Sequence, residues 1–479
     1  MADHNGDMTT TPHRTHIPAL LAIVALAAIL RAGVAAPKAC VSRDGVWFVE
    51  MAKKLADDPV RHMRIETKQP GLSWVMLATH SAFGGTDTPE SWQTTGTLIA
   101  GVGGVAVCAL VYLLALRLFD PTTAIVAGIF AAFWPHGMQL SADVLSDMPH
   151  LALYLAALGI LALGERPVAI WRWPLAGAIA GLAYWFRLEA LGFLPAIAVW
   201  ALVTAPRTQR LKAVGRATLA GIGFAVIAGP FVVLARAPAA WVERSAVRDS
   251  ASESSQSDSG HHARDPSIRT AGARPFAAPI GGPKARSTND RAITGPARSA
   301  IAGHYFANAV GPLKLPQRMA EEWARSGRYV FAALFLAGLL IRSTPSAARP
   351  LATLCGLIAI FQLLLVAARV LKYGELSSRY MLTAIALTIP WAAAAFVHLI
   401  RLAVVRSRNP SHGRAMTIWA MGWLLALAPM AGYGFRPVNA GRLTLREAGC
   451  WLRETAAPDD VILADDLNLS QAQYYADRI

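Results

Sequence analysis

Apolar residues fall in long runs separated by short polar breaks, and the runs are of the length that crosses a bilayer. They lie at 17–36, 94–117, 121–138, 147–163, 173–187, 189–204, 214–235, 328–342, 350–369, 380–400 and 414–434. This pattern predicts an all-α polytopic membrane protein with about eleven transmembrane helices. One stretch has a different period: Val46 to Leu55 places Val46, Phe48, Val49 and Ala52 among Glu50, Lys53 and Lys54. It reads as an amphipathic helix, either lying in the membrane interface or packed on the bundle as a connector.

Short inner loops collect Lys and Arg. With the N-terminus inside, the inner loops include "APRTQRLKAVGR", with Arg207, Arg210, Lys212 and Arg216, and "RLAVVRSRNPSHGR", with Arg401, Arg406, Arg408 and Arg414. The outer segments are then 37–93, 136–146, 236–327, 370–379 and 435–479. The small residues "AGVAA" at the end of the first run also suit a cleaved leader, but the run is long for one and Pro37 follows at once, so a retained helix is expected.

Composition agrees. The 479 residues are 54% hydrophobic and 16% charged, with a formal charge of +15. The basic residues are dispersed between apolar runs, so membrane topology explains them better than nucleic-acid binding, which is not expected. Segment 240–300 is rich in Ser, Ala, Gly, Pro and charge and reads as a disordered insertion; its His261–His262 pair invites a metal reading, but a solvated low-complexity stretch rarely holds a fixed site, and none is expected. The tail "WLRETAAPDDVILADD" reads as an amphipathic helix, a turn and a short strand from Val461 to Ala464, the start of a small extracytoplasmic α/β segment. The organisation expected is a cytoplasmic 1–16, a transmembrane module 17–235 carrying the outer loop 37–93, the outer loop 236–327, helices over 328–434, and the tail 435–479. Cys108 and Cys355 lie within apolar runs and read as packing residues, whereas Cys40 and Cys450 could pair or stay free.

The informative charges are those that break the topology rule. Lys68, Arg187, Lys372 and Arg379 all fall on the outer face, which is normally poor in cations. Carboxylates accompany them: Asp44, Glu66, Asp143, Asp147, Glu189 and Glu375. Salt bridges of Arg187 with Glu189 and of Glu375 with Arg379 would account for some of these. Asp44, Asp143 and Asp147, however, stand off the ends of three different spans. Acids beside bases at one boundary suit transfer from a membrane-embedded donor with a phosphate leaving group. Cations would stabilise the departing oxyanion and a carboxylate would take the acceptor's proton, with a divalent metal as a further option.

In this order the motifs resemble the GT-C fold glycosyltransferases, in the branch of the protein O-mannosyltransferases and the aminoarabinose transferases. The resemblance rests on "SRDGVWFVEMAKKL", "ETKQPGLSW", "SADVLSDMPHLALYLAALG", "AGLAYWFRLEALGFLPA" and "SSRYMLTAIAL", and covers nearly the whole chain except 236–327. It implies a polyprenyl-phosphate sugar as donor and Asp44 as the catalytic carboxylate, with Asp143 or Asp147 as the acid of the second outer loop. It implies Lys68, with Arg187, Arg379 and Tyr380, against the donor phosphate, and Glu66 near a metal or the acceptor. Two positions depart from the pattern: Gln69 replaces the first proline of the usual pair, and Gly45 stands where the protein mannosyltransferases often carry a second acid.

The expected activity is therefore an inverting transfer of a sugar from a polyprenyl-phosphate donor to a hydroxyl of a lipid, glycan or protein, at the outward face of a bacterial inner membrane. The alternatives are a polytopic transporter or lipid flippase, which would place its charges nearer the bilayer midplane, and a relative without activity serving as a scaffold.

Overall fold

The computed structural model describes residues 16–66, 68–162, 168–235, 314–326, 329–341, 344–373, 376–407, 412–457 and 470–476. The segment 240–300 and its histidine pair, Glu375, and the expected strand Val461–Ala464 lie outside the described residues.

The chain starts with α1 (His16–Ala35), followed by three short helices, α2 (Arg43–Asp57), α3 (Pro59–Ile65) and α4 (Gly71–Ala82). Then come α5 (Pro89–Leu118), α6 (Pro121–Ala132), α7 (Pro135–Ser141), α8 (Asp147–Ala162), α9 (Arg172–Phe186), α10 (Phe193–Thr204) and α11 (Arg210–Ala235). The second half contributes α12 (Leu315–Ser326), α13 (Val330–Leu340), α14 (Arg349–Tyr373), α15 (Leu382–Arg406) and α16 (His412–Gly434). The tail contributes α17 (Leu443–Thr455) and α18 (Ser470–Tyr475).

Prolines mark several helix starts. Pro89 and Pro121 stand in first turns whose caps, Thr88 and Asp120, accept backbone N–H bonds, because proline has no donor to waste there. The same rule corrects one expectation. The run 121–138 is two helices, since Pro135 cannot continue α6 past Trp134 and opens α7 instead.

Each of the other expected runs contains one helix. Six helical segments among the described residues are long and apolar enough to cross a membrane. The helices α6, α8, α9, α10 and α13 have 12, 16, 15, 12 and 11 residues, so they are shorter than the roughly 30 Å hydrocarbon layer. The protein is an integral multi-pass membrane protein.

Helix α15 is the most enclosed, with every residue from Leu382 to Val397 buried. An alanine-rich helix that is apolar all round belongs inside a bundle, and α5, α6, α13, α14 and α16 surround it. Elsewhere small residues let backbones approach closely. A Cβ at Gly177 or Gly223 would run into the backbone of Ala220 or Pro174 across the α9–α11 contact.

At the end of the bundle that carries Asp44, α2 is capped by Ser42, whose Oγ accepts from the Gly45 N–H at 3.2 Å. Its apolar face, including Val46, Val49, Ala52 and Leu55, is buried by protein. The packed alternative therefore holds over the membrane-interface reading: α2 lies against α4 and α5, and Ser73 Oγ donates to Phe48 O at 2.8 Å.

The described tail consists of helices. Gln471 Nε2 donates to Val41 O at 2.8 Å, the Val41 N–H donates to the Tyr475 hydroxyl at 2.9 Å, and Arg446 donates to Ala39 O at 3.1 Å. The tail thus grips the backbone that leads into Asp44. All four cysteines are free.

Candidate active site

Five separate segments deliver charged side chains to one place. Asp44 is in the first turn of α2, and Lys68 is in the loop before α4. That loop is held close to α9 because Gly71 has no side chain: a Cβ there would lie 2.6 Å from Trp185 O. Asp147 opens α8, and Arg187 caps the end of α9 in extended backbone, with Glu189 in the 3-10 turn Leu188–Gly192 behind it. Arg379 and Tyr380 lie in the 3-10 turn Ser378–Met381, which Ser377 caps.

These groups form one alternating chain of charge. Lys68 Nζ is 3.1 Å from Asp44 Oδ1, and Arg379 Nη1 is 2.7 Å from Asp44 Oδ2. Arg379 turns its other edge to Asp147, at 2.7 Å from Nη2 to Oδ2, and Arg187 Nη1 takes Asp147 Oδ1 at 2.7 Å. Arg187 Nη2 then reaches Glu189 Oε1 at 3.2 Å. Tyr380 lies between two guanidiniums, 4.4 Å from that of Arg369 and 5.6 Å from that of Arg187.

The three aspartates differ in what is left over. The Asp147 side chain is 0% exposed and both its oxygens are engaged by arginines. Asp143 is also buried and accepts from Lys38 at 2.9 Å, the Val144 N–H at 2.8 Å, the Ser42 N–H at 3.3 Å and Asn439 at 3.3 Å. Only Asp44, 39% exposed at its side chain, keeps access to solvent. Burial alone would raise its carboxyl pKa, but the guanidinium of Arg379 and the ammonium of Lys68 outweigh that and hold it below its usual 3.8. Asp147 and Asp143, both expected as candidate catalytic acids, thus have their oxygens engaged by cations and N–H donors, whereas Asp44 keeps an open side.

Asp44 and Arg379 stand between two cavities. One, of about 300 Å³, is lined by Lys68, Arg187, Glu189, Arg369 and Tyr380, among others. The second, of about 370 Å³, is lined by His136, Gln139, Asp143, Asn439 and Arg442, among others. In the first cavity Lys68, Arg187, Arg369 and Arg379 face Asp44 and Glu189, with Asp147 buried behind, so the cations outnumber the acids by one. That excess suits an anion such as a phosphate.

Glu66 does not join this cavity. Its Oε2 accepts from the Trp47 indole at 3.1 Å and its Oε1 faces Lys54 at 3.8 Å. Trp47 and Lys54 bring a donor and a cation to Glu66, which do not suit a metal ion, and Glu50 adds a second carboxylate nearby. No group of three or more His, Cys, Asp or Glu among the described residues could hold a metal. The groups around Glu66 do not make a metal site by themselves, and no step is derived through a metal. Lys372 is exposed on α14 and does not line the cavity.

Several lining residues were not anticipated from the sequence. Arg369 was hidden at the end of an apolar run. Lys38 lines neither cavity but pairs with Asp143; it follows the first span directly and breaks the same topology rule that singled out Lys68, so that rule could have found it. His136, Asn439 and Arg442 are brought in by tertiary contacts and carry no sequence signal. The glycine after Asp44 has a local cause: a Cβ at Gly45 would lie 2.7 Å from Val41 Cγ2 and 3.0 Å from Val144 O, so a second acid has no room.

Residues 68–233 match the family model described as dolichyl-phosphate-mannose-protein mannosyltransferase. Curated proteins give no match to the sequence. Among solved structures, ArnT from Cupriavidus metallidurans bound to undecaprenyl phosphate is similar at a TM-score of 0.57 and 15% identity, over 96% of this chain and 84% of that one. AglB from Archaeoglobus fulgidus, an archaeal oligosaccharyltransferase in complex with an inhibitory peptide and a dolichol-phosphate, is similar at a TM-score of 0.51 and 14% identity. That alignment covers 92% of this chain and 58% of AglB.

Proposed function

We propose that this membrane protein of the GT-C fold superfamily transfers a sugar from a polyprenyl-phosphate donor to an acceptor hydroxyl. The observation that carries the reading is the position of the Asp44–Arg379 pair on the wall between two cavities. The cation-rich cavity takes the donor phosphate, and the cavity on the other side takes the acceptor.

The phosphate binds Lys68, Arg187 and Arg379, with Tyr380 packed beside the arginines. Two of these cations are the ones that neutralise Asp44 in the free protein. Once they turn to the phosphate, Asp44 loses its ion partners and becomes a stronger base. It then takes the proton of the acceptor hydroxyl as that oxygen attacks the anomeric carbon. The bond from that carbon to the phosphate oxygen breaks on the opposite face, the configuration inverts, and polyprenyl phosphate leaves with its negative charge held by the same cations. Asp147 keeps Arg187 and Arg379 aimed at the cavity. The basic loops 206–216 and 401–414 support a site facing the outward side of the cell membrane.

The test is reconstitution of the full chain in proteoliposomes with a labelled polyprenyl-phosphate sugar, following release of polyprenyl phosphate and label in the acceptor fraction. Release that disappears in Asp44→Asn is the expected result. Translocation of intact donor without release would identify a flippase, and wild-type transfer by Asp44→Asn would overturn the assignment of the base.

A further inference from the structure

We propose that the groove between α1 and α5 binds an anionic phospholipid of the leaflet on the Asp44 side, with its phosphate at Arg31 and an acyl chain along the groove. This site is separate from sugar transfer and does not rest on it.

The starting observation is a buried charge. Arg31 lies in the last turns of α1, about 6 Å before its end at the helical rise, and is 3% exposed. Its guanidinium donates to Ser141 Oγ at 3.2 Å, Ala27 O at 3.2 Å and Cys108 Sγ at 3.1 Å. All three acceptors are neutral, and no carboxylate among the described residues pairs with it. A cation at membrane depth without a counter-ion is costly. Elsewhere at this bundle end Lys38 has Asp143, Arg187 and Arg379 have Asp147, and Arg369 has the Tyr380 ring.

The fold makes room for this arginine. A Cβ at Gly104 would stand 2.5 Å from Arg31 Nε and would also collide with Ser141 Oγ. Helix α5 thus omits a side chain where the guanidinium passes. Arg31 also lines a groove of about 760 Å³ whose walls are mostly alanine, valine and leucine, with Lys38, Thr94 and Thr97 toward the Asp44 end. Along α1 the groove runs from Val24 to Ala36, about 18 Å at 1.5 Å per residue, which is close to half the roughly 30 Å hydrocarbon core. An apolar slot one leaflet long, with an uncompensated cation near its headgroup end, matches an anionic lipid by shape and by charge. The donor is not the occupant. The groove shares no lining residue with the cavity of Arg187 and Arg379, which supplies its own cations for a phosphate.

Native mass spectrometry of the full-length protein, titrated with phosphatidylglycerol or phosphatidylcholine in mixed micelles, tests this. Phosphatidylglycerol is expected to be retained in preference to phosphatidylcholine, and Arg31→Gln is expected to weaken its retention about ten-fold or more. Gly101→Leu keeps Arg31 and blocks the slot, because a Cβ at 101 meets only Ser141 O at 3.7 Å; it should also abolish retention, and it serves if Arg31→Gln fails to fold. Equal retention of the two lipids overturns the proposal. So does unchanged retention in both variants, or displacement of phosphatidylglycerol by equimolar polyprenyl phosphate, which would make the groove a donor site.

Discussion

The Asp44 cavity and the Lys38–Asp143 corner lie on either side of the same short stretch, Lys38 to Asp44, and both set cations against carboxylates. In the corner one lysine meets one aspartate, 2% and 5% exposed at their side chains, and backbone N–H groups and Asn439 fill the remaining acceptor sites of Asp143. Its charges are balanced and closed to solvent. In the cavity the cations exceed the acids, and Asp44 stays open on two sides. A balanced, saturated pair suits holding elements together, whereas an open, unbalanced one retains the capacity to bind an anion and exchange a proton. Exposure and saturation separate the two roles, although the residue types are the same.

Exchanging single groups should break that contrast cleanly. The largest effect is expected from Asp44→Asn, which should lower the transfer rate by about 10²–10⁴-fold, the usual contribution of a positioned base, while shifting thermal unfolding in detergent by less than about 1 kcal/mol. Lys38→Met should do the reverse. It leaves Asp143 buried and unpaired and should cost about 3–5 kcal/mol of stability, read as a lowered unfolding midpoint that adding Asp143→Leu largely restores.

A smaller effect is expected at Arg187→Gln. Removing one charged donor from the phosphate should raise the donor KM about ten-fold or more, with the unfolding midpoint showing how far Asp147 tolerates its remaining partner. The smallest is a pH shift. Because the Asp44 carboxyl is held below 3.8, the acid limb of kcat/KM, where protonation removes the base, should lie below that pH. Lys68→Ala removes one of the charges that lower it and should move the limb upward; an unmoved limb would assign it to another group.

Much of this was legible in the chain. The apolar runs gave the helices because length and all-round hydrophobicity leave a segment little alternative to a bundle or a bilayer. They misjudged 121–138 because hydropathy does not weigh the backbone demand of Pro135. The topology rule picked out Lys68, Arg187 and Arg379, whose charge is anomalous on that face, and the three now meet within one cavity. The same rule applied to Asp143 and Asp147 could not rank them against Asp44, since all three are acids beside a membrane edge.

That ranking depends on which oxygens are already engaged, and the partners come from far away: Arg379 for Asp147 and Asp44, Asn439 for Asp143. Glu66 shows the same limit. The resemblance implied a place near a metal or the acceptor, and the structure shows α2 turning Trp47 and Lys54 toward it, outside the cavity that Lys68 lines.

By itself the sequence determined that this is a helical membrane protein with unusual charges gathered at one boundary, because hydropathy, proline position and charge bias act locally or along the membrane normal. Only the tertiary structure decided which carboxylate stays open, where the cations converge, and that Arg31 lies buried among neutral groups, because burial and pairing depend on contacts between separate elements, from 24 positions apart for Lys68 and Asp44 to 335 for Arg379 and Asp44.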